Sequence, residues 1–213
     1  MATLQPVRRT LLRETAYEAI RDAIVRGDLA PGATVRNADL AGQLGLSLAP
    51  VRDALARLTD EGLVETKPQS YTRVTSVVLG EVRDAAGVVR AMHELAARTA
   101  VPMLTPDDVE AMRAANERFK AATRAGDVDS AIEADDDLHD ILVRVCANRA
   151  LAATIERYTP LISRLERLQF SQATAQRSVE RHELLIEACA AGDAAAATRI
   201  TAKIWHTLED LAH

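Results

Sequence analysis

The chain has 213 residues, of which 48% are hydrophobic and 27% charged, so it can form one large or two small packed domains and is neither disordered nor collagen-like. Aromatic residues make up only 3% while alanine fills 40 positions, a balance that disfavours β-sandwiches and barrels and favours packed helices. No apolar run approaches the ~20 residues that span a bilayer, and the first ten residues lack the apolar core of a secretory signal. Two cysteines cannot build a disulfide framework. We therefore expect a cytoplasmic protein without a membrane partner.

The net charge of -5 is unevenly distributed along the chain. Residues 1–75 carry a net charge of +1, and residues 76–213 carry a net charge of -6. A near-neutral first third still binds a polyanion if its arginines gather on one face. Six of the nine glycines also lie at or before Gly80, which indicates short elements first and long helices afterwards. We therefore predict two domains, 1–75 and 76–213.

Residues 14–75 show the pattern of three helices and a hairpin. Apolar residues at helical spacing predict a first helix over 14–26, a short second helix before Gly45, and a third that begins after Ser47 as its N-cap. Two β-prone segments, 63–66 and 72–75, then flank a turn. This order is typical of a winged helix-turn-helix, whose third helix points its N-terminus at phosphates.

The third helix exposes Arg52, a side chain able to donate to base edges in the major groove. Periodicity alone equally allows Arg36, Arg52 and Arg57 to be ordinary solvated arginines.

The residues themselves resemble the GntR family of bacterial transcription regulators. The similarity covers roughly residues 14–75 and is carried by these segments, in order: Gly27-Asp28-Leu29-Ala30-Pro31-Gly32, Asp39-Leu40-Ala41, Leu46-Ser47, Pro50-Val51-Arg52-Asp53-Ala54-Leu55, Leu58 and Glu61-Gly62-Leu63-Val64. The resemblance implies a homodimer that binds a short palindromic operator in double-stranded DNA, with the third helix in the major groove and the wing near the minor groove.

Two departures from the family pattern concern DNA contacts. Leu48 stands where the family commonly has an arginine, and the wing turns on Gln69-Ser70-Tyr71 rather than on a glycine. We predict DNA contacts from six residues: Arg36, Ser47, Arg52, Lys67, Tyr71 and Arg73. Three arginines near the N-terminus either add non-specific phosphate contacts or form a solvated basic tail: Arg8, Arg9 and Arg13.

Residues 81–212 show the pattern of about six helices with short breaks, which predicts an antiparallel six-helix bundle and a mainly α protein overall. This half resembles the effector domain of the fatty-acid-responsive-regulator branch of the GntR family. The similarity rests on these residues: Val89-Arg90, Glu94, Leu138-His139, the helix break at Asn148, His182 and Ala191-Gly192-Asp193. It implies a ligand-binding and dimerisation domain.

Asp135 and His139 are four residues apart and therefore project from one helix face, a spacing that can chelate a divalent cation such as Zn, Ni or Mn. The resemblance implies that His182 completes a metal site and that a fourth ligand belongs at position 204, where this chain has Ile204. His206 lies two residues further and faces another direction. The alternative is that Asp135 is a solvated carboxylate and His139 a core histidine.

Arg90 is the candidate for neutralising a small-molecule carboxylate effector in the same cavity, the alternative being an ion pair with Glu94. No role is assigned to His93. These features favour a metabolite-responsive transcription regulator acting as a repressor. Two alternatives remain: a metal-dependent enzyme using the Asp135, His139 and His182 cavity, and a helical scaffold that keeps the winged helix for protein contacts.

Overall fold

The computed structural model describes residues 9–68 and 70–211. Contacts divide the chain into two compact units, with the boundary between Val77 and Val78. The first unit contains, in chain order, α1 (Arg9–Arg26), α2 (Asn37–Leu44), α3 (Leu48–Asp60), β1 (Val64–Lys67) and β2 (Tyr71–Val74). The sequence-based expectation of a winged helix-turn-helix is confirmed.

The core of the first unit lies between α1 and α3. Tyr17, Ile20 and Ile24 are buried on α1 at helical spacing, and Leu55 and Leu58 are buried on α3. Helix α1 begins at Arg9, earlier than the predicted residue 14, since the apolar pattern marks only the part of the helix that packs. The buried stripe therefore fixes the face that α3 turns to the core, and its charged residues lie on the other faces.

The wing is a two-stranded antiparallel sheet whose strands are displaced by one residue from the predicted segments 63–66 and 72–75. Lys67 pairs with Tyr71, and Val64 pairs with Val74. The Ser70 backbone N–H donates to the Lys67 carbonyl over 3.0 Å, which closes a four-residue turn. The Val35 backbone N–H also donates to the Thr72 carbonyl over 2.8 Å, so the segment before α2 anchors the wing.

The second unit contains six α-helices among its described residues, as predicted. They are α4 (Leu79–Ala100), α5 (Pro106–Ala125), α6 (Val128–Cys146), α7 (Arg149–Gln169), α8 (Gln172–Ala190) and α9 (Ala194–Leu211), with a 3₁₀ turn at Val101–Met103. The first three breaks have a chemical cause: Thr105 and Asp108 form a capping box, Gly126 has a φ of 71°, and the Asn148 side chain accepts from two backbone N–H groups of α7.

Helix α4 is central to this bundle, since it packs against α6, α7 and α9. Its inward face carries small side chains, including Ala86, Ala96 and Ala97, that allow these helices to approach closely. His93 is buried on the same helix. Across the described ranges, no helix is both long and apolar enough to cross a membrane.

Candidate functional site

The first unit presents positively charged side chains from three of its elements. Arg36 directly precedes α2, Arg52 lies in the first half of α3, and Lys67 ends β1; all three are exposed. Within the described part of the chain, none of the three forms an ion pair, so their charge is not neutralised by a neighbouring carboxylate. Such groups are suited to phosphate and base contacts.

Ser47 stands at the N-cap position of α3, as predicted, but its side chain makes no capping hydrogen bond. Ser47 therefore occupies the predicted N-cap position, and the first N–H groups of α3 receive no hydrogen bond from its hydroxyl group. Leu48, the departure from the family pattern, is 50% exposed on the first turn. An apolar side chain at this position replaces a potential donor.

The charged residues of the wing differ in whether another residue of the protein already contacts them. Arg73 forms an ion pair with Glu65, its cross-strand partner, and its guanidinium lies 4.5 Å from the centroid of the Tyr71 ring. Its charge is thus partly neutralised and its position is held by the wing itself. Lys67, by contrast, is exposed at the turn. Of the six predicted DNA contacts, Arg73 and Tyr71 thus contact each other, and Arg73 also forms an ion pair.

Arg57 takes part in a network that sequence reasoning missed. Its guanidinium carbon lies 3.6 Å from the centroid of the Tyr17 ring, and it forms ion pairs with Glu14 over 2.9 Å and with Glu61 over 3.0 Å. The Tyr17 hydroxyl donates to Glu61 over 2.8 Å, and burial followed by this hydrogen bond raises the pKa of Tyr17 to about 12. Arg57 therefore fastens α3 to α1 and is not an ordinary solvated arginine.

The three arginines near the N-terminus stay a prediction. Arg8 and the side chain of Arg9 lie outside the described residues, and Arg13 is exposed on α1.

In the second unit, Asp135, His139 and His182 offer one potential ligand atom each, all within 4.8 Å of one another. Asp135 Oδ1 lies 3.2 Å from His182 Nε2, and Asp135 Oδ2 lies 3.8 Å from His139 Nε2. Helix α6 supplies the first two groups on one face, and α8 brings the third to them. The structure thus brings together the three residues predicted to form a metal site.

The hydrogen bonding of the two histidines leaves nitrogen atoms for a ligand. His182 Nδ1 lies 3.2 Å from Asn116 Oδ1, and because an amide oxygen only accepts, this contact places the proton on Nδ1 and the lone pair on Nε2. His182 Nε2 and both ring nitrogens of His139 are buried without a hydrogen-bond partner among the described residues. Asn116 was missed because an asparagine on another helix carries no local signal.

The rings of His139 and His182 are packed against other aromatic rings. His93 stacks on Trp205 with ring centroids 4.3 Å apart, and the same histidine meets His139 edge-on at 5.7 Å. Phe119 packs edge-on against His182 at 5.3 Å. His93, to which the sequence assigned no role, is therefore part of the packing around the cluster.

Burial controls the ionisation of this cluster. It lowers the pKa of His139 and of His182 to about 4, so both imidazoles are neutral near pH 7. Burial also raises the pKa of Asp135, and burial followed by repulsion from Asp135 and Asp136 raises the pKa of Glu166 well above its usual range. Neutral imidazoles are the form that ligates a metal ion.

A cavity of about 90 Å³ opens beside the cluster. It is lined by apolar side chains that include Phe119, Ile132, Phe170, Ile204 and Trp205, and by polar ones that include Asp135, His139, Glu166, Arg177 and Arg181. Position 204 thus faces the cavity with an apolar side chain. His206 is exposed and does not line the cavity.

Arg90 does not line this cavity, which corrects the expectation that it faces the metal cluster. It lies on a different part of the α4 surface and forms the i,i+4 ion pair with Glu94, over 3.0 Å, that was the alternative. The arginines that do line the cavity belong to α8, and sequence reasoning had not selected them.

A winged helix-turn-helix joined to a helical domain with a cavity lined by apolar and polar side chains defines a class of protein: a DNA-binding regulator with a ligand-binding domain. Residues 12–74 match the family model of bacterial regulatory proteins of the gntR family, and residues 83–207 match that of the FCD domain. The chain belongs to the GntR family, with an FCD domain as its ligand-binding half.

Relatives agree with this assignment. The chain is 24% identical over 180 residues to the HTH-type transcriptional repressor RspR of Escherichia coli, covering 84% of this chain and 77% of that protein. It is 28% identical over 189 residues to the probable D-xylose utilization operon transcriptional repressor of Paenarthrobacter nicotinovorans, covering 87% and 83%. The structure of E. coli McbR/YncC shares the fold, with a TM-score of 0.81 at 23% identity, over 92% of this chain and 94% of that one. The family and these relatives are transcription regulators, so the enzyme alternative has no support.

Proposed function

We propose that this regulator is a cytoplasmic, homodimeric repressor whose operator affinity is controlled by a small carboxylate effector bound beside a divalent metal ion. The observation that carries the proposal is the cluster of Asp135 with the buried His139 and His182, whose ligand atoms lie within 4.8 Å of one another at the wall of a cavity. An effector acts only through different affinities for two states of the protein, and DNA binding must change effector affinity by the same factor.

The operator-reading surface is proposed to consist of Arg36, Ser47, Arg52, Lys67 and Tyr71, with Arg73 in a supporting position. Arg52 is the base-reading candidate because it is exposed on α3. Selection of bound sequences from a random duplex pool is expected to return a palindrome, whereas failure to bind DNA at physiological salt would favour the scaffold alternative.

The role of Arg52 is tested by Arg52→Ala on the selected site. Loss of a guanine contact is expected to weaken binding by about 1–3 kcal/mol and to relax specificity at one position of each half-site. Arg83→Ala is the matched control, since Arg83 is an exposed arginine of the second unit. Wild-type affinity in Arg52→Ala would remove Arg52 from recognition.

The metal site is proposed to take Zn, Ni or Mn on one carboxylate and two imidazoles. Two buried Nε2 atoms without hydrogen-bond partners among the described residues fit this donor set. When bound, the ion would act as a Lewis acid with open coordination positions for a carboxylate oxygen of the effector. Asp135, His139 and His182 would hold the ion, and Asn116 would keep His182 in the tautomer that ligates through Nε2.

Elemental analysis of protein purified without chelator tests this site. We expect about one metal ion per chain in the wild type, none in His139→Ala, and a higher melting temperature of the wild type when metal is added. If neither preparation holds metal, and added Zn, Ni or Mn leaves the wild-type melting temperature unchanged, the metal proposal is wrong.

Dimerisation is assigned to the second domain. Its net charge of -6 over residues 76–213 disfavours direct contact with DNA, and the exposed apolar side chains of Val78, Leu79 and Val88 at and near the start of α4 are suited to a protein contact. Sedimentation is expected to show a dimer for residues 76–213 and a monomer for residues 1–75. The reverse result would overturn this division.

A further inference from the structure

Helix α8 lines the cavity with a continuous polar face to which no role has been given. Thr174, Arg177, Ser178 and Arg181 line the cavity at spacings of i, i+3, i+4 and i+7, which is one face of an α-helix. Within this face, Arg177 Nη2 donates to Thr174 Oγ1 over 3.4 Å. The two cations are therefore placed one turn apart with hydroxyl groups beside them, an arrangement suited to an anionic group.

The cavity lining has charged side chains from different helices: Asp135 lies on α6, and Arg177 and Arg181 lie on α8. A divalent cation on Asp135, His139 and His182 would be a second cationic point in this cavity, beside the two guanidinium groups. An effector with a single carboxylate can contact either the ion or the pair of arginines, whereas an effector with two anionic groups can contact both.

The rest of the lining limits the size of the ligand. Phe119, Ile132, Phe170 and Trp205 form apolar walls, and the cavity volume of about 90 Å³ is well below the roughly 300–1,000 Å³ of sites for drug-sized molecules. A nucleotide or a long acyl chain is too large for it. The occupant has to be short, with its charged groups separated by only a few carbon atoms.

We propose that the effector is a short two-ended anion, with one carboxylate on the metal side of the cavity and a second carboxylate or phosphate group on Arg177 and Arg181. This inference rests on the proposed function and adds the second anionic group. The two arginines thereby become the residues that distinguish a dianion from a monocarboxylate of the same length.

The test is calorimetric titration of zinc-loaded, full-length protein with pairs of acids of equal carbon number. The pairs are malonate and propionate, succinate and butyrate, and glutarate and pentanoate, and phosphoglycolate tests phosphate as the second group. Quenching of Trp205 gives an independent readout, because it is the single tryptophan of the chain and lines the cavity. At least one dianion is expected to bind about tenfold or more tightly than its partner, the discrimination expected of one charge-assisted contact.

Arg177→Gln combined with Arg181→Gln should reduce the affinity for the dianion to that for the monocarboxylate and leave the monocarboxylate unaffected. Arg199→Gln on α9 is the control, since that arginine is exposed and does not line the cavity. Equal affinities within every pair, or a double variant that binds the dianion as the wild type does, would overturn this inference and leave the carboxylate effector standing. If no acid of either kind binds, the proposed carboxylate effector fails as well.

Discussion

Removal of the Arg57 side chain is expected to weaken the packing of α3 against α1 without removing a DNA contact. Arg57 connects α3 to α1 through the face of Tyr17 and through ion pairs with Glu14 and Glu61. Arg57→Ala breaks all of these contacts at once. It also leaves Glu61, whose side chain is only 8% exposed, with the Tyr17 hydroxyl as its remaining donor in this network.

The magnitude follows from the exposure of each partner. The Glu14 pair is solvent-exposed and contributes at most about 0.5 kcal/mol. The contact with the Tyr17 ring contributes about 1 kcal/mol at a partly desolvated site. The Glu61 pair is better shielded from water and contributes about 1 kcal/mol after the side-chain entropy is subtracted. Together these give a loss of about 2 kcal/mol in the local stability of α3.

Hydrogen exchange of the full-length protein measures this loss at α3. A change of about 2 kcal/mol speeds exchange of the protected amides in residues 48–60 by about thirtyfold, since each 1.4 kcal/mol is a factor of ten. Arg26→Ala is the control, because Arg26 and Asp28 form an exposed pair.

The same variant distinguishes a structural role of Arg57 from a direct contact with DNA. We expect the salt dependence of operator binding to be unchanged in Arg57→Ala, whereas loss of a phosphate contact lowers the slope by about one. Unchanged exchange together with a reduced salt slope would refute the structural role of Arg57 and place it at the DNA.

Two further predictions concern the second unit. The capping hydrogen bonds from Thr105 and the ion pair with Arg144 lower the pKa of Asp108 to about 2. The Asp108 carboxylate therefore contributes its full stabilisation above its pKa in the unfolded chain, near 4, and loses it as the pH falls through the folded-state pKa of about 2. Asp108→Asn should therefore cost about 1 kcal/mol at pH 7 and clearly less at pH 2, where about half of the folded molecules have a protonated Asp108. Thermal unfolding followed through Trp205 measures this cost, and an equal cost at both pH values would contradict the prediction. Asn116→Ala should weaken metal binding about 10–100-fold with the three ligands intact, measured by competition with a chelator, and unchanged affinity would show that Asn116 does not hold the His182 tautomer.

The winged helix-turn-helix could be predicted closely because its signals are local. Glycines at 27, 45 and 62 end the helices, each with a positive φ, and apolar spacing marks the buried faces. The strands were misplaced by one residue because β-propensity marks a segment and not the register, which here is set by the turn that begins at Lys67. The role of Arg57 was out of reach, since its partners Glu14 and Tyr17 lie about 40 residues away.

The candidate metal cluster was predicted only in part from local spacing. The pair Asp135 and His139 is visible as an i,i+4 pattern, while His182 came from the family resemblance and is 43 residues further along the chain than His139. Arg90 was assigned to the cavity because an arginine carries no signal that separates a cavity contact from a surface ion pair. The α8 arginines were missed for the same reason, since only the packing of α8 shows which of its faces lines the cavity.

The position of the cluster identifies the helices that connect the cavity to the DNA-binding unit. Asp135 belongs to α6 and His182 to α8, so a ligand or ion held by both joins two helices that the chain itself connects only through α7. Helix α6 contacts α4 directly through His139 and His93, and α8 contacts α4 through α9, where Trp205 stacks on His93. Both routes end at His93, and α4 is the helix that follows the wing in the chain after only four residues, 75–78. Helix α4 is therefore the element in which the contacts from α6 and α9 meet the helix that carries the link to the DNA-binding unit.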